Sequence, residues 1–187
     1  MNELDLNIPT LDIEDFDPEV AEQSAGIEDQ SGGALTYGLI GSGQGGGRIA
    51  KAFFDLGYKK TVAFNTAESD LALLELPENH KFHVDFQGGQ GAGKDQTKAA
   101  AAYESRRQEV FNRLREVFGN KVDRILVCVG VAGGTGGGSV NTLVDIAKDY
   151  FTYVGHDNAE ERVGVIASLP TTGEVGSPQV AKNAHTR

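Results

Sequence analysis

The chain has one cysteine, no tryptophan and no long apolar run. A single cysteine, Cys128, excludes a disulfide within the chain, which suits a reducing cytoplasm. It lies inside an apolar stretch, so we expect a core residue rather than a reactive thiol. No signal-peptide pattern is found, so a cytoplasmic protein without a membrane partner is expected. His80 and His83 would point to opposite faces of a strand, so no metal ligands are predicted.

Basic residues are missing from the first 33 positions, which carry ten Asp and Glu side chains. The remaining residues carry 17 acidic and 17 basic side chains, so the net charge of −10 belongs to the N-terminal segment. A neutral body lacks the basic surface that nucleic acids require, so no direct nucleic-acid partner is expected.

Composition predicts two parts, a disordered acidic tail over residues 1–33 and one domain over residues 34–187. The tail also carries apolar residues between its acids, from Leu4 to Phe16. A short docking segment for a partner is therefore the alternative to a solvated tail.

Apolar stretches alternate with helical patterns through the domain, which predicts an α/β fold with a mostly parallel sheet between two helical layers. Gly57 is expected to cap the end of the first helix. Segment 95–118 has apolar residues spaced by seven, four and three, which predicts one long helix. Strands are predicted over 35–40, 61–64, 81–86, 122–129 and 163–169. Helices are also predicted from the glycine segment 41–48 through about Leu56, over 142–151 and from about Pro178.

The most informative stretch is the glycine-rich segment 130–141, between the apolar strand and the helical pattern at 142–151. Glycine lets backbone N–H groups approach an anion, and a helix start adds partial positive charge. Thr135 inside the segment can donate its hydroxyl to a phosphate oxygen. A tight strand-to-helix turn is the alternative, but it needs fewer than the five glycines among residues 133–138. The segment therefore predicts a phosphate-binding loop.

Two other glycine motifs offer alternatives. Residues 41–46 read Gly-x-Gly-x-x-Gly after a predicted strand, as in a Rossmann dinucleotide site, but Asn65 stands where an acid is expected. Residues 88–94 match the P-loop pattern, but Asp95 stands where Ser or Thr would hold magnesium. Neither alternative explains all the glycine loops at once.

The segment Ala132-Gly133-Gly134-Thr135-Gly136-Gly137-Gly138 resembles the signature of the tubulin and FtsZ superfamily, with glycine at 137 where Ser, Thr or Ala is usual. Residues 41–48, Asn65-Thr66 and Gly91-Ala92-Gly93 are similar to the family's other nucleotide loops, although Ala67 replaces a frequent Asp. Leu169-Pro170 and the Asn-Ala at 183–184 look most like TubZ-like proteins of plasmids and phages. This resemblance covers residues 35–187.

The resemblance implies a filament-forming GTPase with GTP or GDP and Mg²⁺ as cofactors. Backbone N–H groups would hold the phosphates, Gln44 would reach a phosphate or a magnesium water, and Glu174 would meet the ribose. Asn183 would bond guanine, with an exposed helix residue as the alternative. The residues implied to bind nucleotide are Gly43, Gln44, Gly45, Arg48, Asn65, Ala92, Gly93, Lys94, Ala132, Gly133, Gly134, Thr135, Gly136, Gly137, Glu174 and Asn183.

The resemblance also implies partners: further copies in a head-to-tail filament, and a DNA-binding adaptor for plasmid or phage segregation. A cell-division protein and a non-polymerising nucleotide-binding module are the alternatives. The family continues with a central helix and a second domain, whose acidic loop completes the neighbour's site. We therefore expect this chain to bind GTP without hydrolysing it, with no catalytic residue of its own and an apolar sheet face left uncovered.

Overall fold

The computed structural model describes residues 30–84 and 91–185. Five parallel strands form one sheet in the order β3-β2-β1-β4-β5, with helices packed on both faces. The strands are β1 (Tyr37–Ser42), β2 (Thr61–Asn65), β3 (Lys81–His83), β4 (Arg124–Gly130) and β5 (Val163–Ser168). The helices are α1 (Gly43–Asp55), α2 (Glu68–Ala72), α3 (Gln96–Ser105), α4 (Arg107–Phe118), α5 (Gly134–Tyr153), α6 (Ala159–Arg162) and α7 (Pro178–His185).

The main core lies on one face of the sheet, under α3, α4 and α5. Ile40, Phe64 and Val127 project from three strands into a cluster that includes Leu114 and Leu143. On the other face Ala63 packs with α2 and α1 in a smaller cluster. Strands covered on both faces read as continuous apolar runs, which explains why the sequence predicted the fold class correctly.

Helix α1 lies very close to β1 and β4 because the facing residues are glycines. A side-chain carbon at Gly41 would lie 2.7 Å from Cβ of Ala50, and one at Gly46 would collide with the carbonyl of Cys128. Real side-chain carbons do not approach backbone atoms this closely, so α1 can reach the sheet only at glycine. The predicted cap is confirmed, since Gly57 follows the helix with a φ of +103°.

All five predicted strands are present, with boundaries shifted by up to two residues within the described part of the chain. Strand β3 ends at His83, and the predicted continuation over residues 85–86 lies outside the described residues. The predicted tail and its alternative docking role concern residues 1–33, of which the structure describes only residues 30–33. None of the described helices is both long and apolar enough to cross a membrane.

One helix was predicted over residues 95–118, and this is wrong. The structure has two helices, α3 and α4, that meet at Arg106, whose φ of −111° and ψ of +18° leave the helical region. Just before the break, the Ser105 hydroxyl donates to the carbonyl of Ala102 at 2.9 Å. Such local side-chain bonds compete with the helical ladder and bend helices.

The prediction of a glycine loop over residues 130–141 is also wrong in extent, because α5 begins at Gly134. Glycine costs about 1 kcal/mol per residue in a helix relative to alanine. Here close packing offsets that cost: a side-chain carbon at Gly136 would lie 2.9 Å from the carbonyl oxygen of Ser42, and one at Gly138 would collide with the carbonyl of Gln96. The glycines are therefore the contact surface of a helix rather than a flexible loop.

Cys128 lies in the core, as predicted. Its side chain is buried in β4, and burial raises the pKa of the thiol to about 12. Because only the thiolate is a nucleophile, a thiol with this pKa is inert near neutral pH.

We expect Cys128 in the native protein to resist alkylation by iodoacetamide at pH 8. The denatured protein, whose thiol has an ordinary pKa, should react within minutes under the same conditions. Mass spectrometry of the two samples measures the modified fraction. Equal rates in native and denatured protein would contradict the buried position of this residue.

Candidate nucleotide-binding site

Two helices begin side by side where the neighbouring strands β1 and β4 end. Strand β1 passes directly into α1, and β4 is joined to α5 by residues 131–133. A side-chain carbon at Gly43, whose φ is +69°, would lie 2.9 Å from the backbone nitrogen of Gly136. The strand order reverses between β1 and β4, and ligands of open α/β sheets bind at this point.

Both helix starts carry partial positive charge. Each first turn is fully described and contains no acidic residue, and neither N-cap residue, Ser42 or Gly133, gives a side-chain capping bond. The first N–H groups of a helix have no partner within it, and the helix dipole adds to their charge. Two adjacent starts of this kind can together bind a multiply charged anion.

A cleft of about 760 Å³ lies in front of the two helix starts. This volume lies within the range of small-molecule sites. Thirteen of the sixteen predicted binding residues line it, namely Gly43, Gln44, Gly45, Arg48, Ala92, Gly93, Lys94, Ala132, Gly133, Gly134, Thr135, Gly136 and Glu174. Together with residues after β2, such as Ala67 and Asp70, they bring loops from all five strand ends to one cleft.

The other three predicted residues lie beside or behind the cleft. Asn65 lines a smaller adjoining cavity and donates to a carboxylate oxygen of Asp70 at 3.2 Å. Gly137 faces away from the cleft, where a side-chain carbon would collide with the Gln96 amide. Asn183 is 4 % exposed, so the alternative of an exposed helix residue is wrong. Its amide donates to the carbonyls of Lys94 and Ala132, both at 3.0 Å.

The cleft also contains residues that the sequence did not single out. Asp70 lines the cleft and also the adjoining cavity, whose lining includes Gln44 and Arg48. The sequence could have indicated Asp70, because it lies five residues after Asn65 in the short helix α2. Others that line the cleft are Ser42, Ala67, Ser69, Gly91, Gly130, Ser168, Leu169, Pro170, Ser177 and Val180.

Glu174, which lines the cleft, and Asp95, which follows the cleft residue Lys94 in the chain, both accept hydrogen bonds from neighbouring donors. The N–H and hydroxyl of Thr171 donate to Glu174 Oε2 at 2.8 and 3.0 Å, and these bonds lower the pKa of Glu174. Asp95 caps α3, accepting from the hydroxyl of Thr97 at 2.6 Å and from its N–H at 2.9 Å, which lowers the pKa of Asp95. The residue that departs from the P-loop pattern is therefore a helix cap.

A chain of hydroxyl bonds joins three of the loops. Thr66 Oγ1 lies 2.7 Å from Thr135 Oγ1 and accepts from the N–H of Ala92 at 3.1 Å. Thr66 follows β2, Thr135 belongs to the first turn of α5, and Ala92 belongs to the loop before α3. When Thr66 donates to Thr135, the Thr135 hydrogen is free to bond an anion in the cleft.

A second hydroxyl cluster lies beneath the helix starts. Ser42 Oγ lies 2.8 Å from the hydroxyl of Tyr103 and 2.7 Å from Oγ of Ser139. Tyr103 is fully buried, and burial raises the pKa of its hydroxyl. The neutral cluster ties the end of β1 to α3 and α5, so the floor of the cleft is rigid.

Replacing Thr66 with valine should lower the free energy of unfolding by about 1–3 kcal/mol, because the buried Ala92 N–H then has no acceptor. Thr66→Ser keeps the hydroxyl and should retain most of that stability. Urea denaturation followed by circular dichroism gives both values. Equal losses for the valine and serine variants would show that the hydroxyl contributes nothing.

Comparison with known proteins agrees with this geometry. Residues 38–155 match the family model described as "Tubulin/FtsZ family, GTPase domain". The tubulin-like protein CetZ2 of Haloferax volcanii is 37 % identical over 112 residues, covering 56 % of this chain and 31 % of CetZ2. The tubulin-like protein TubZ of Clostridium botulinum C phage is 28 % identical over 133 residues, covering 71 % of this chain and 34 % of TubZ.

Solved structures show the same fold. The GDP-bound monomer of CetZ1 from Haloferax volcanii superposes with a TM-score of 0.69 at 26 % identity, covering 80 % of this chain and 46 % of CetZ1. A GTPγS-bound protofilament of CetZ2 gives a TM-score of 0.64 at 29 % identity, covering 80 % of this chain and 44 % of CetZ2. The chain spans about a third of the length of the curated relatives it matches. With the family match covering more than half of its residues, the chain belongs to the tubulin/FtsZ family of GTPases and contains that family's nucleotide-binding fold.

Proposed function

We propose that this chain binds GTP and GDP and forms the nucleotide-binding part of a filament-forming GTPase. The observation that carries the proposal is the pair of adjacent helix starts in α1 and α5, which open into one cleft of suitable volume. Relatives with GDP and GTPγS in their structures support the choice of nucleotide.

The phosphates are assigned to backbone donors. N–H groups of Gln44 and Gly45 at the start of α1, and of Thr135 and Gly136 at the start of α5, lie in first turns that line the cleft. Gly134, the first residue of α5, lines the same cleft. A side-chain carbon there would lie 2.6 Å from Cα of Lys94, so glycine is required.

The loop of Ala92, Gly93 and Lys94 is assigned to the terminal phosphate. Lys94 has a φ of +65°, the one positive value for a non-glycine residue in the described part of the chain. Such a conformation costs energy and is typical of functional loops. The hydroxyl bridge through Thr66 links this loop to the α5 start, so a change at the terminal phosphate reaches both.

Magnesium, the ribose and the base are assigned by side-chain chemistry. Mg²⁺ keeps several waters and takes oxygens from phosphate, and the exposed Gln44 amide lies close enough to the helix start to bond such a water. Glu174 lines the cleft and is proposed for the ribose hydroxyls. A bond from Asn183 to guanine stays a prediction of the family resemblance.

Assembly and cellular role follow from the relatives. We propose head-to-tail filaments, which the CetZ2 protofilament supports. Segregation of plasmid or phage DNA through an adaptor is proposed because a phage TubZ matches 71 % of this chain. Pelleting of assembled polymer with GTP, absent with GDP, would separate a filament protein from a non-polymerising nucleotide-binding module.

Removing the Thr135 hydroxyl should weaken GTP binding by about tenfold to a hundredfold, since a hydrogen bond to a charged group contributes about 1.5–3 kcal/mol. Thr135→Ser keeps the hydroxyl and is the matched control for Thr135→Val. Isothermal titration calorimetry measures both affinities. Tight binding of NADH by the unmodified chain, with no preference for guanine, would overturn the proposal.

We also expect the 187-residue chain to bind GTP while releasing phosphate only at the background rate. The proposal rests on the chain matching about a third of each relative, so residues that complete the site are expected elsewhere. A malachite-green phosphate assay over hours, with a GTPase of known activity as control, measures turnover. Hydrolysis well above background would contradict this assignment.

A further inference from the structure

Side-chain amides hold every carbonyl of the loop between β4 and α5. Gln96 Nε2 donates to the carbonyl of Val131 at 2.8 Å and to that of Gly133 at 3.3 Å. Asn183 Nδ2 donates to the carbonyl between them, that of Ala132, at 3.0 Å. Three successive carbonyls are thus bonded from behind the cleft by two side chains from distant parts of the sequence.

The orientation of the Asn183 amide is fixed by its partners. Its nitrogen faces two carbonyl oxygens, those of Ala132 and Lys94, and a carbonyl can only accept. Its oxygen accepts from Gln179 Nε2 at 3.1 Å. Both ends of the amide are therefore in use, and the side chain is 4 % exposed.

Holding the carbonyls also orients the neighbouring N–H groups. In a trans peptide the C=O and the following N–H point in opposite directions. With the carbonyls of Val131 and Gly133 turned toward Gln96, the N–H groups of Ala132 and Gly134 point the other way. Ala132 and Gly134 both line the cleft. A carbonyl turned into the cleft would instead repel phosphate.

The same amide connects a second loop. Asn183 bonds the carbonyl of Lys94, and Lys94 packs on Gly134 at the α5 start. The side chain thus fastens α7, the loop before α3 and the loop before α5 to one another. Asn183 itself does not line the cleft, whereas Ser177 and Val180 of the same region do.

We propose that Gln96 and Asn183 are positioning residues that keep the carbonyls of residues 131–133 away from the triphosphate, so that the N–H groups of Ala132 and Gly134 face it. The N–H of Gly133 donates to the carbonyl of Gly130 at 3.1 Å and closes the turn. Asn183 then acts on the phosphates through the backbone and not on guanine. The inference rests on the proposed function, because it assumes a nucleoside triphosphate in the cleft.

The two roles of Asn183 differ in how base preference responds. If Asn183 positions the loop, Asn183→Ala should lower the affinity for GTP, ITP and ATP by the same factor, about tenfold. The ratio of the GTP and ATP affinities should then stay unchanged. If Asn183 instead bonds guanine, the variant should lose affinity for GTP but not for ATP, and the GTP-to-ATP affinity ratio should fall. Competition of the three nucleotides against a fluorescent GTP analogue on the 187-residue chain measures the ratio.

Gln96 supplies an independent test on the other side of the loop. Gln96→Ala should lower the affinities for GTP, ITP and ATP by the same factor. Gln96→Glu should lower them further, because its carboxylate would face two carbonyls and cannot donate a hydrogen bond. Gln108→Ala removes an exposed amide that pairs with Asn112 on α4 and should leave affinity unchanged. Circular dichroism of each variant checks folding, and the Gln96 variants carry the test if Asn183→Ala does not fold.

The outcomes separate the two proposals. No GTP binding by the unmodified chain overturns the proposed function itself. GTP binding with a fallen GTP-to-ATP ratio in Asn183→Ala, or with unchanged affinity in both folded alanine variants, overturns the positioning role alone. A parallel loss in the Asn183 and Gln96 variants supports it.

Discussion

The structure depends on the close approach of two helix starts at the ends of adjacent parallel strands. Gly43 and Gly136 lie so near each other that a side-chain carbon on Gly43 would contact the backbone nitrogen of Gly136. Two positive helix ends repel each other when nothing lies between them, and the effect is largest where capping groups are missing. Packing of α1 and α5 against the sheet offsets this repulsion. A phosphate bound in the cleft, as proposed, would remove this repulsion, so the fold and the anion would stabilise each other.

Glycine makes the close approach of the two helix starts possible, and packing offsets its unfavourable helix propensity. Each glycine in α5 disfavours the helix by about 1 kcal/mol relative to alanine. The same positions let α5 contact β1, β4 and α3 at distances that no side chain permits, as Gly136 does against Ser42. The remainder of α5 buries Leu143, Ile146 and Phe151 in the main core. A helix that starts poorly is thus held by the strong packing of its later turns.

The sequence predicted the layer order, the five strands and most of the cleft because these depend on apolar runs and glycine placement. It failed where tertiary packing decides. Glycines at 136–138 signal a loop by propensity, and only their contacts with Ser42 and Gln96 explain a helix. No glycine or proline in the sequence marks the helix break at Arg106. The partners of the Thr66 hydroxyl and of the Asn183 amide nitrogen lie 26 to 89 positions away, which no local pattern reveals.

These long-range bonds make the loops interdependent. The Thr66 hydroxyl joins the end of β2 to the start of α5 and to the loop at Ala92. The Asn183 amide joins that loop at Lys94 to the one at Ala132. A loop held by two neighbours loses less entropy when a ligand fixes it, because its neighbours have already restricted it. Linkage then requires that a phosphate group ordering one loop also favours the bound arrangement of the others. If the cleft binds GTP and GDP as proposed, this interdependence would allow a nucleoside triphosphate and a diphosphate to favour different arrangements of the loops.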